Sequence, residues 1–505
     1  MSAYFQYLKQ MIEAFFEDVG IWFTKLFVGP WSDVGSNFND YNSYFNNYAP
    51  EFGFWGWFFY VLFWILLVGL IGGLGFLLFI LIKKYVKFYK TEYDKQTLVD
   101  QVEKLNYELF EAIQEKDKIL NLKVGSLGID NPDLSQKDRE AVEEVASRFP
   151  KLKYVDHEYR DVDTSIAPVD GLSLEELCNS FRLFAASQLH LYYKIETIRQ
   201  LFAGMAASKL IILEGISGTG KTSLAYALGK FFDHDASMCS VQPSWKDRSE
   251  LLGYYNEFTK KFNETEFLRA LYEATYRKDT NIIVLDEMNL ARIEYYFAEF
   301  LSIMEMPNKN EWKIELINSY DSNDPSHVKQ GKLLIPQNVI FFGTANNDDS
   351  TFTISDKVYD RAISLFFDNK GIPFDAEYTE QLHVNFDQIN DLYEEAQIQY
   401  PVSDKMLEKF DKLDTFVIKN FKIAFGNRIL KQLKVFIPVF VACGGTEVDG
   451  LDFIFTNKIL KKFEALNIAF LREELKQLHG EIDKLFGKNT FKMAHQKIDE
   501  LLKLS

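Results

Sequence analysis

Cysteine is scarce. Cys178, Cys239 and Cys443 are the three in 505 residues, far apart and odd in number. That excludes a disulfide framework and a cysteine metal site, and leaves reduced core residues. Net positive charge is also missing. The chain carries 56 Lys and Arg against 73 Asp and Glu, a formal charge of −17. Phosphate-backbone binding needs clustered cations, so a general nucleic-acid surface is excluded, though not a local basic patch. Histidine is sparse and scattered, as at His190, His234, His327 and His383, and reads as surface or core residue rather than metal ligand. No long internal repeat is visible. The length exceeds one ordinary domain and allows at least one large core.

One absence is local. No charged residue occurs from Phe52 to Ile82, "FGFWGWFFYVLFWILLVGLIGGLGFLLFILI". A bilayer span takes roughly 20 apolar residues in a helix. This run is longer, which predicts a transmembrane helix over 54–82, tilted, with its aromatic end at an interface. It starts too late for a cleaved signal peptide and has no basic segment before it. Gly69 and Gly73 form a small-xxx-small pair that suits helix packing. Lys83, Lys84, Lys87 and Lys90 crowd the C-terminal flank, whereas the N-terminal side has only Lys9 and Lys25. The positive-inside rule then places the N-terminus outside and the bulk of this single-pass chain in the cytoplasm. Residues 1–53 form an extracytoplasmic or interfacial segment. Within it, 4–28 suits an interfacial helix, and the Asn- and Tyr-rich 36–50 reads as loop.

A heptad pattern follows. Leu98, Leu105, Ala112 and Ile119 occupy one core position, and Val102 and Leu109 the other, with Lys116 breaking it. A coiled-coil stalk over 83–123 is expected, or an amphipathic helix packed on its neighbour. "NPDLSQKDRE" and "RDVDTSIAPVDG" mark a polar linker over 124–171.

Chemistry enters at "KLIILEGISGTGKTSLAYAL", residues 209–228. A short apolar strand leads into a glycine-rich turn and a helix start. Gly215, Gly220, Lys221 and Thr222 fit the G-x-x-x-x-G-K-[ST] phosphate loop. Ser217, Gly218, Thr219 and Ser223 complete the cofactor-binding segment. Glycines let backbone N–H groups curl round phosphate oxygens, and the helix N-terminus adds its positive end. Lys221 reaches the β/γ-phosphates, and the Thr222 hydroxyl binds Mg²⁺. Further on, "NIIVLDEMNLAR" (281–292) reads as a buried strand ending in two acids. Asp286 is suited to hold Mg²⁺ and Glu287 to polarise the attacking water. The bland reading is an acidic helix N-cap.

Together "GISGTGKTSL" and "LDEMNLAR" resemble an AAA+ ATPase of the branch containing the McrB restriction motor and the MoxR-type ATPases, over about 172–470. "VQPSWKDRSELLGYYN" (241–256) is similar to the place where that branch inserts a hairpin into a helix. "VIFFGTANNDD" (339–349) resembles the sensor 1 strand, so Asn346 would bond the attacking water or γ-phosphate. Asn346 and Asp349 reproduce the McrB N-x-x-D signature, but Ala345 replaces its usual Met. In "SDKVYDRAISLFF" (355–367), Arg361 stands where the family carries the finger that reaches a neighbour's nucleotide. The bland readings on residues alone are a surface salt bridge or a helix C-cap. "FGNRILKQL" (425–433) resembles sensor 2, with Arg428 able to contact the γ-phosphate. Residues 312–336 read as two strands with a long polar turn, like a hairpin that faces the pore or substrate in related motors.

The resemblance implies an α/β core with a parallel sheet over 172–370, a helical lid with C-terminal helices over 371–505, ATP and Mg²⁺ as cofactors, and a homohexameric ring. GTP is the alternative nucleotide, on the N-x-x-D signature. Three functional readings stay open. The first is a membrane-anchored NTPase that remodels an unidentified protein partner. The second is the NTPase subunit of a restriction or phage-defence system, acting on DNA through a partner nuclease. The third is a nucleotide-controlled membrane scaffold. Direct nucleic-acid binding is not expected from the charge and from the lack of a DNA-reading domain.

Overall fold

The computed structural model describes residues 6–17, 38–67, 147–346, 351–368 and 371–503, with isolated positions between 69 and 83. The chain divides into two compact units, Met1–Asp130 and Asn131–Ser505.

The first unit is helical where described, at 6–17, Phe38–Tyr48 and 54–67. The loop expected at 36–50 is therefore largely a helix. Aromatic packing explains the difference. Tyr7, Met11 and Phe52 are buried, with Tyr44, Phe45, Tyr48 and Tyr60 packed against them. The Tyr7 and Phe52 rings meet edge to face at 5.8 Å, and Phe45 lies 5.2 Å from Tyr60. Burial of several large rings outweighs the weak helix propensity of Asn and Tyr. No helix among the described residues is long and apolar enough to cross a membrane. The span expected over 54–82 is helical at 54–67, and much of the rest lies outside the described residues. The expected stalk over 83–123 lies outside them but for residue 83, as do residues 124–146 of the expected linker.

Of the remainder of that linker, residues 159–171 are turns and irregular chain, but 150–158 are helical. Helix α1 (Pro150–Glu158) begins there, with Phe149, Leu152 and Val155 fully buried in the second unit. Spacing of three residues puts them on one helix face, a pattern hidden in a polar stretch. Arg148 anchors the segment through a forked pair to Asp324, at 2.7 and 2.8 Å. The Glu264 carboxylate accepts from the Lys151 and Leu152 N–H groups at 2.9 Å, which caps the helix start.

Two helices precede the sheet, α2 (Leu174–Leu189) and α3 (Ile195–Ala207). A capping box between Ser173 and Glu176 starts α2. The sheet strands are β1 (Leu210–Gly215), β2 (Ser237–Ser240), β5 (Asn281–Asp286), β9 (Val339–Asn346) and β10 (Ile363–Phe367). They lie parallel in the order β10-β1-β9-β5-β2. Helix α4 (Lys221–Phe231) follows β1.

Side-chain alternation makes both faces of this sheet into core. Ile211, Leu213, Val284 and Phe342 enter one apolar cluster, while Leu210, Ile212, Ile283 and Phe341 enter the other. That is why these strands read as continuous apolar runs rather than alternating ones.

Two insertions leave this core. Strands β3 (Gly253–Asn256) and β4 (Lys261–Glu264) form an antiparallel hairpin whose tip carries Phe258, 85 % exposed. Helix α5 (Glu266–Glu273) returns from it. After helix α6 (Ala298–Ile303), strands β6 (Lys313–Glu315), β7 (Val328–Lys329) and β8 (Lys332–Leu334) form a small sheet in the order β6-β8-β7. The second expected strand is thus split into β7 and β8 by a tight turn at Gln330 and Gly331, both of positive φ. A helical region completes the unit: α7 (Phe386–Gln399), α8 (Asp404–Phe421), α9 (Asn427–Ala442), α10 (Glu447–Lys458), α11 (Arg472–Phe486) and α12 (Lys492–Lys503). Leu433, Phe436 and Ile437 of α9 share the first cluster with Leu201 and Phe202 of α3.

Candidate functional site

Register brings the chemistry to one edge. Gly215 ends β1 opposite Asn346 at the end of β9, and Asp286 ends β5 beyond the Leu285–Gly343 pair. Open parallel sheets place ligands outside the carboxyl ends of their strands for this reason.

The loop between β1 and α4 is built for close approach. Gly215 has φ 138°, and a Cβ there would stand 2.2 Å from the Phe367 carbonyl oxygen. Gly220 has φ 91° and caps α4. Neither position suits an L side chain. Ile216, Ser217 and Gly218 are exposed, whereas Thr219, Gly220 and Ser223 are half-buried. The Thr219 hydroxyl donates to the Ile216 carbonyl at 2.8 Å, and Tyr193 donates to the Gly220 carbonyl at 3.2 Å.

Lys221 is buried. Its ammonium donates to the Gly215 and Ile216 carbonyls at 2.9 and 2.8 Å. Burial pulls its pKa below the usual lysine value, and the Asp286 carboxylate opposes that shift. The Thr222 hydroxyl donates to Asp286 Oδ1 at 3.0 Å. These two groups are hard oxygen donors side by side, which fits Mg²⁺. Glu287 is exposed and takes a left-handed conformation, φ 53°. Its backbone N–H donates to Thr344 Oγ1 at 2.8 Å, and the Thr344 hydroxyl donates to Asp286 Oδ1 at 2.8 Å. One side chain thus fixes both acids. The sequence reading missed Thr344. A lone hydroxyl inside the buried strand "VIFFGTAN" was the available signal. The Asn346 carbonyl accepts from Asn289 Nδ2 at 2.9 Å. Asp349, the other half of the expected signature, lies outside the described residues.

Arg361 and Arg428 are not at this edge. Arg361 immediately precedes the segment that enters β10, and its carbonyl accepts from Ser208, just before β1, at 2.7 Å. The six residues of β1 separate it from the phosphate loop by roughly 17 Å at a rise of about 3.3 Å per residue. There Arg361 pairs with Glu305 at 2.9 Å, and Arg428 takes the other oxygen of the same carboxylate at 2.5 Å. A cavity of about 560 Å³ beside them is also lined by Lys209 and Lys431. Arg428 therefore does not meet its expected contact with a γ-phosphate within one subunit, because the start of α9 lies at the opposite end of the sheet. Apart from the four scattered histidines, His479, Asp483 and His495 lie together, with one potential ligand atom of each within 4.8 Å of the others.

The profile of the AAA domain, dynein-related subfamily, matches residues 210–362. This stretch carries the AAA pattern. It holds the phosphate loop, both acids, Asn346 and Arg361, and every strand of the parallel sheet except β10. The crystal structure of a candidate ATPase from Cytophaga hutchinsonii aligns with TM-score 0.41 and 13 % identity, over 69 % of this chain and 98 % of that one. A full-length MCM homologue from Methanopyrus kandleri aligns with TM-score 0.35 and 9 % identity, over 58 % of this chain and 62 % of that one. No curated protein matches the sequence.

Proposed function

We propose that this chain is a membrane-anchored AAA+ nucleoside triphosphatase that hydrolyses ATP with Mg²⁺ in a ring of identical subunits and remodels a protein partner. The Thr222–Asp286 contact of 3.0 Å beside the buried Lys221 carries the reading. Bound there, Mg²⁺ would neutralise charge on the β/γ-phosphate oxygens. The protein's own steps follow from position. Loop N–H groups and the start of α4 hold the phosphates. Lys221 leaves its two carbonyls for phosphate oxygens. Glu287, free at its carboxylate end and fixed at its backbone, orients a water. Asn346 steadies that water or the γ-phosphate.

Arg361 supports the ring. It sits at the far end of the sheet from its own phosphate loop, where a neighbour's γ-phosphate would meet it. Arg428 joins it on that face. The apolar residues of helix 54–67 support the anchor: Phe54, Trp55, Phe58, Ile65 and Leu66 are all exposed, as lipid-facing residues would be. Phe258 and Tyr320, on the two insertions, are exposed aromatics suited to gripping a polypeptide. The net charge of −17 favours a protein over DNA as the object of that work.

The test is phosphate release from ATP and from GTP by the full chain in detergent micelles, with and without Mg²⁺. Glu287→Gln is expected to bind nucleotide and stop turnover. Wild-type hydrolysis by that variant sinks the assignment. A strong preference for GTP moves the reading toward the restriction-type NTPase.

A further inference from the structure

We propose that His479, Asp483 and His495 form a transition-metal site that staples α11 to α12. The sequence holds the same motif twice across this pair of helices, "HGEID" at 479–483 and "HQKID" at 495–499. In each, the isoleucine is fully buried, Ile482 on α11 and Ile498 on α12. That fixes the rotation of both helices. Residues i and i+4 share a face, so each His lies one turn from its Asp, at the rim of the buried Ile.

The two rims meet. One ligand atom from each of His479, Asp483 and His495 lies within 4.8 Å of the others. His495 Nε2 is 3.1 Å from Asp483 Oδ1, and the two imidazole centroids are 3.8 Å apart. His495 Nδ1 is buried with no hydrogen-bond partner. A neutral imidazole offers one ring nitrogen to a metal while the other keeps its proton.

Donor chemistry selects the ion. Imidazole nitrogens with a carboxylate suit Zn²⁺, Co²⁺ or Ni²⁺ rather than Mg²⁺. Tetrahedral Zn²⁺ with bonds of about 2.0–2.1 Å sets its ligands roughly 3.3 Å apart. Two of the three ligands, His479 and Asp483, already share one face of α11. Three protein ligands leave a fourth position for water or for Asp499, whose charge already acts on His495. The site shares no residue with Thr222 and Asp286.

The experiment uses the full chain in detergent, stripped with a chelator and kept in excess Mg²⁺ so that Asp286 is not available to a second ion. Titration with Zn²⁺ alone is expected to give one tightly held ion per chain by elemental analysis and to raise the melting temperature by several degrees. His479→Ala and His495→Ala should each weaken binding at least tenfold and remove the thermal shift. Asp499→Asn should weaken it less. His479 is half-buried at the rim, so its metal-free variant should melt close to the wild type; His479→Gln serves if the alanine variant does not fold. Less than stoichiometric Zn²⁺ in the wild type overturns the proposal, as does an affinity unchanged when both histidines are replaced.

Discussion

Glu305 holds Arg361 at 2.9 Å and, with its other oxygen, Arg428 at 2.5 Å. A single carboxylate occupies two guanidinium groups on the face proposed to meet a neighbour's nucleotide. A γ-phosphate arriving there competes with Glu305 for both. Arg361→Ala is expected to keep nucleotide binding and lose turnover by roughly 10³-fold, the size of an arginine-finger effect. Mixing that variant with Lys221→Ala should recover part of the activity, since one interface then pairs an intact pocket with an intact finger. Glu305→Gln should instead lower the protein concentration needed for half-maximal turnover. A monomer with full activity at high dilution would rule out the shared site.

Thr344 ties the two acids together, donating to Asp286 and accepting from the Glu287 N–H. Thr344→Val keeps the shape and removes both bonds. Losing the half-buried bond from the Glu287 N–H costs about 1 kcal/mol, and Glu287 loses the contact that holds its left-handed backbone. The expected result is a fall of about tenfold or more in kcat, with KM for ATP changed little, as befits a residue that positions the base rather than the substrate. Steady-state kinetics decide it; a change confined to KM refutes the assignment.

Much of this site is legible in the sequence because backbone geometry and chemistry coincide there. Gly215, Gly220, Lys221 and Thr222 form a pattern that phosphate binding would demand, and a strand ending in Asp286 and Glu287 announces itself. What escapes is what depends on long-range packing. Helix α1 was hidden because its apolar positions, Phe149, Leu152 and Val155, are few and lie among charges. The Phe38–Tyr48 helix was hidden because its stability comes from rings elsewhere in the first unit. Arg428 carries the right side chain at a helix start, but its neighbour is set by which end of the sheet α9 meets. No local pattern records that.

The charge-free stretch from Phe52 to Ile82 makes a separate prediction about the membrane. The full chain should stay with the membrane fraction in high salt and in alkali, and deletion of residues 1–90 should release a soluble ATPase. Protease added to intact cells should cut only before Phe54, because lysines at 83, 84, 87 and 90 would hold their side of a spanning helix in the cytoplasm. Release of the full chain by salt alone would contradict a spanning helix.

Lys458 links the helical region to the loop that carries Arg361. From α10 its ammonium donates to the carbonyls of Tyr359, at 2.7 Å, and of Ala362, which bracket Arg361. Lys462 holds Asp360 at 2.8 Å in the same loop. Lys458→Met leaves two carbonyls unpaired, at about 1–3 kcal/mol each, and should lower turnover while sparing nucleotide binding, since the loop that aims Arg361 is loosened. The same lysine predicts a pH dependence. Burial lowers its pKa to about 7 from the ordinary 10.5. Between those values the unfolded chain keeps a proton that the folded chain has shed, so folding stability rises with pH across the window and falls as pH drops toward 7. The neutral amine still has two N–H donors for its two carbonyls. Lys209, also lowered to about 7 by burial, acts in the same sense but is common to both proteins and cancels in the comparison. Thermal melts of the full chain at pH 7 and pH 9 should therefore show a gain for the wild type that is smaller in Lys458→Met. Equal gains in the two proteins would mean that Lys458 stays protonated in the fold throughout.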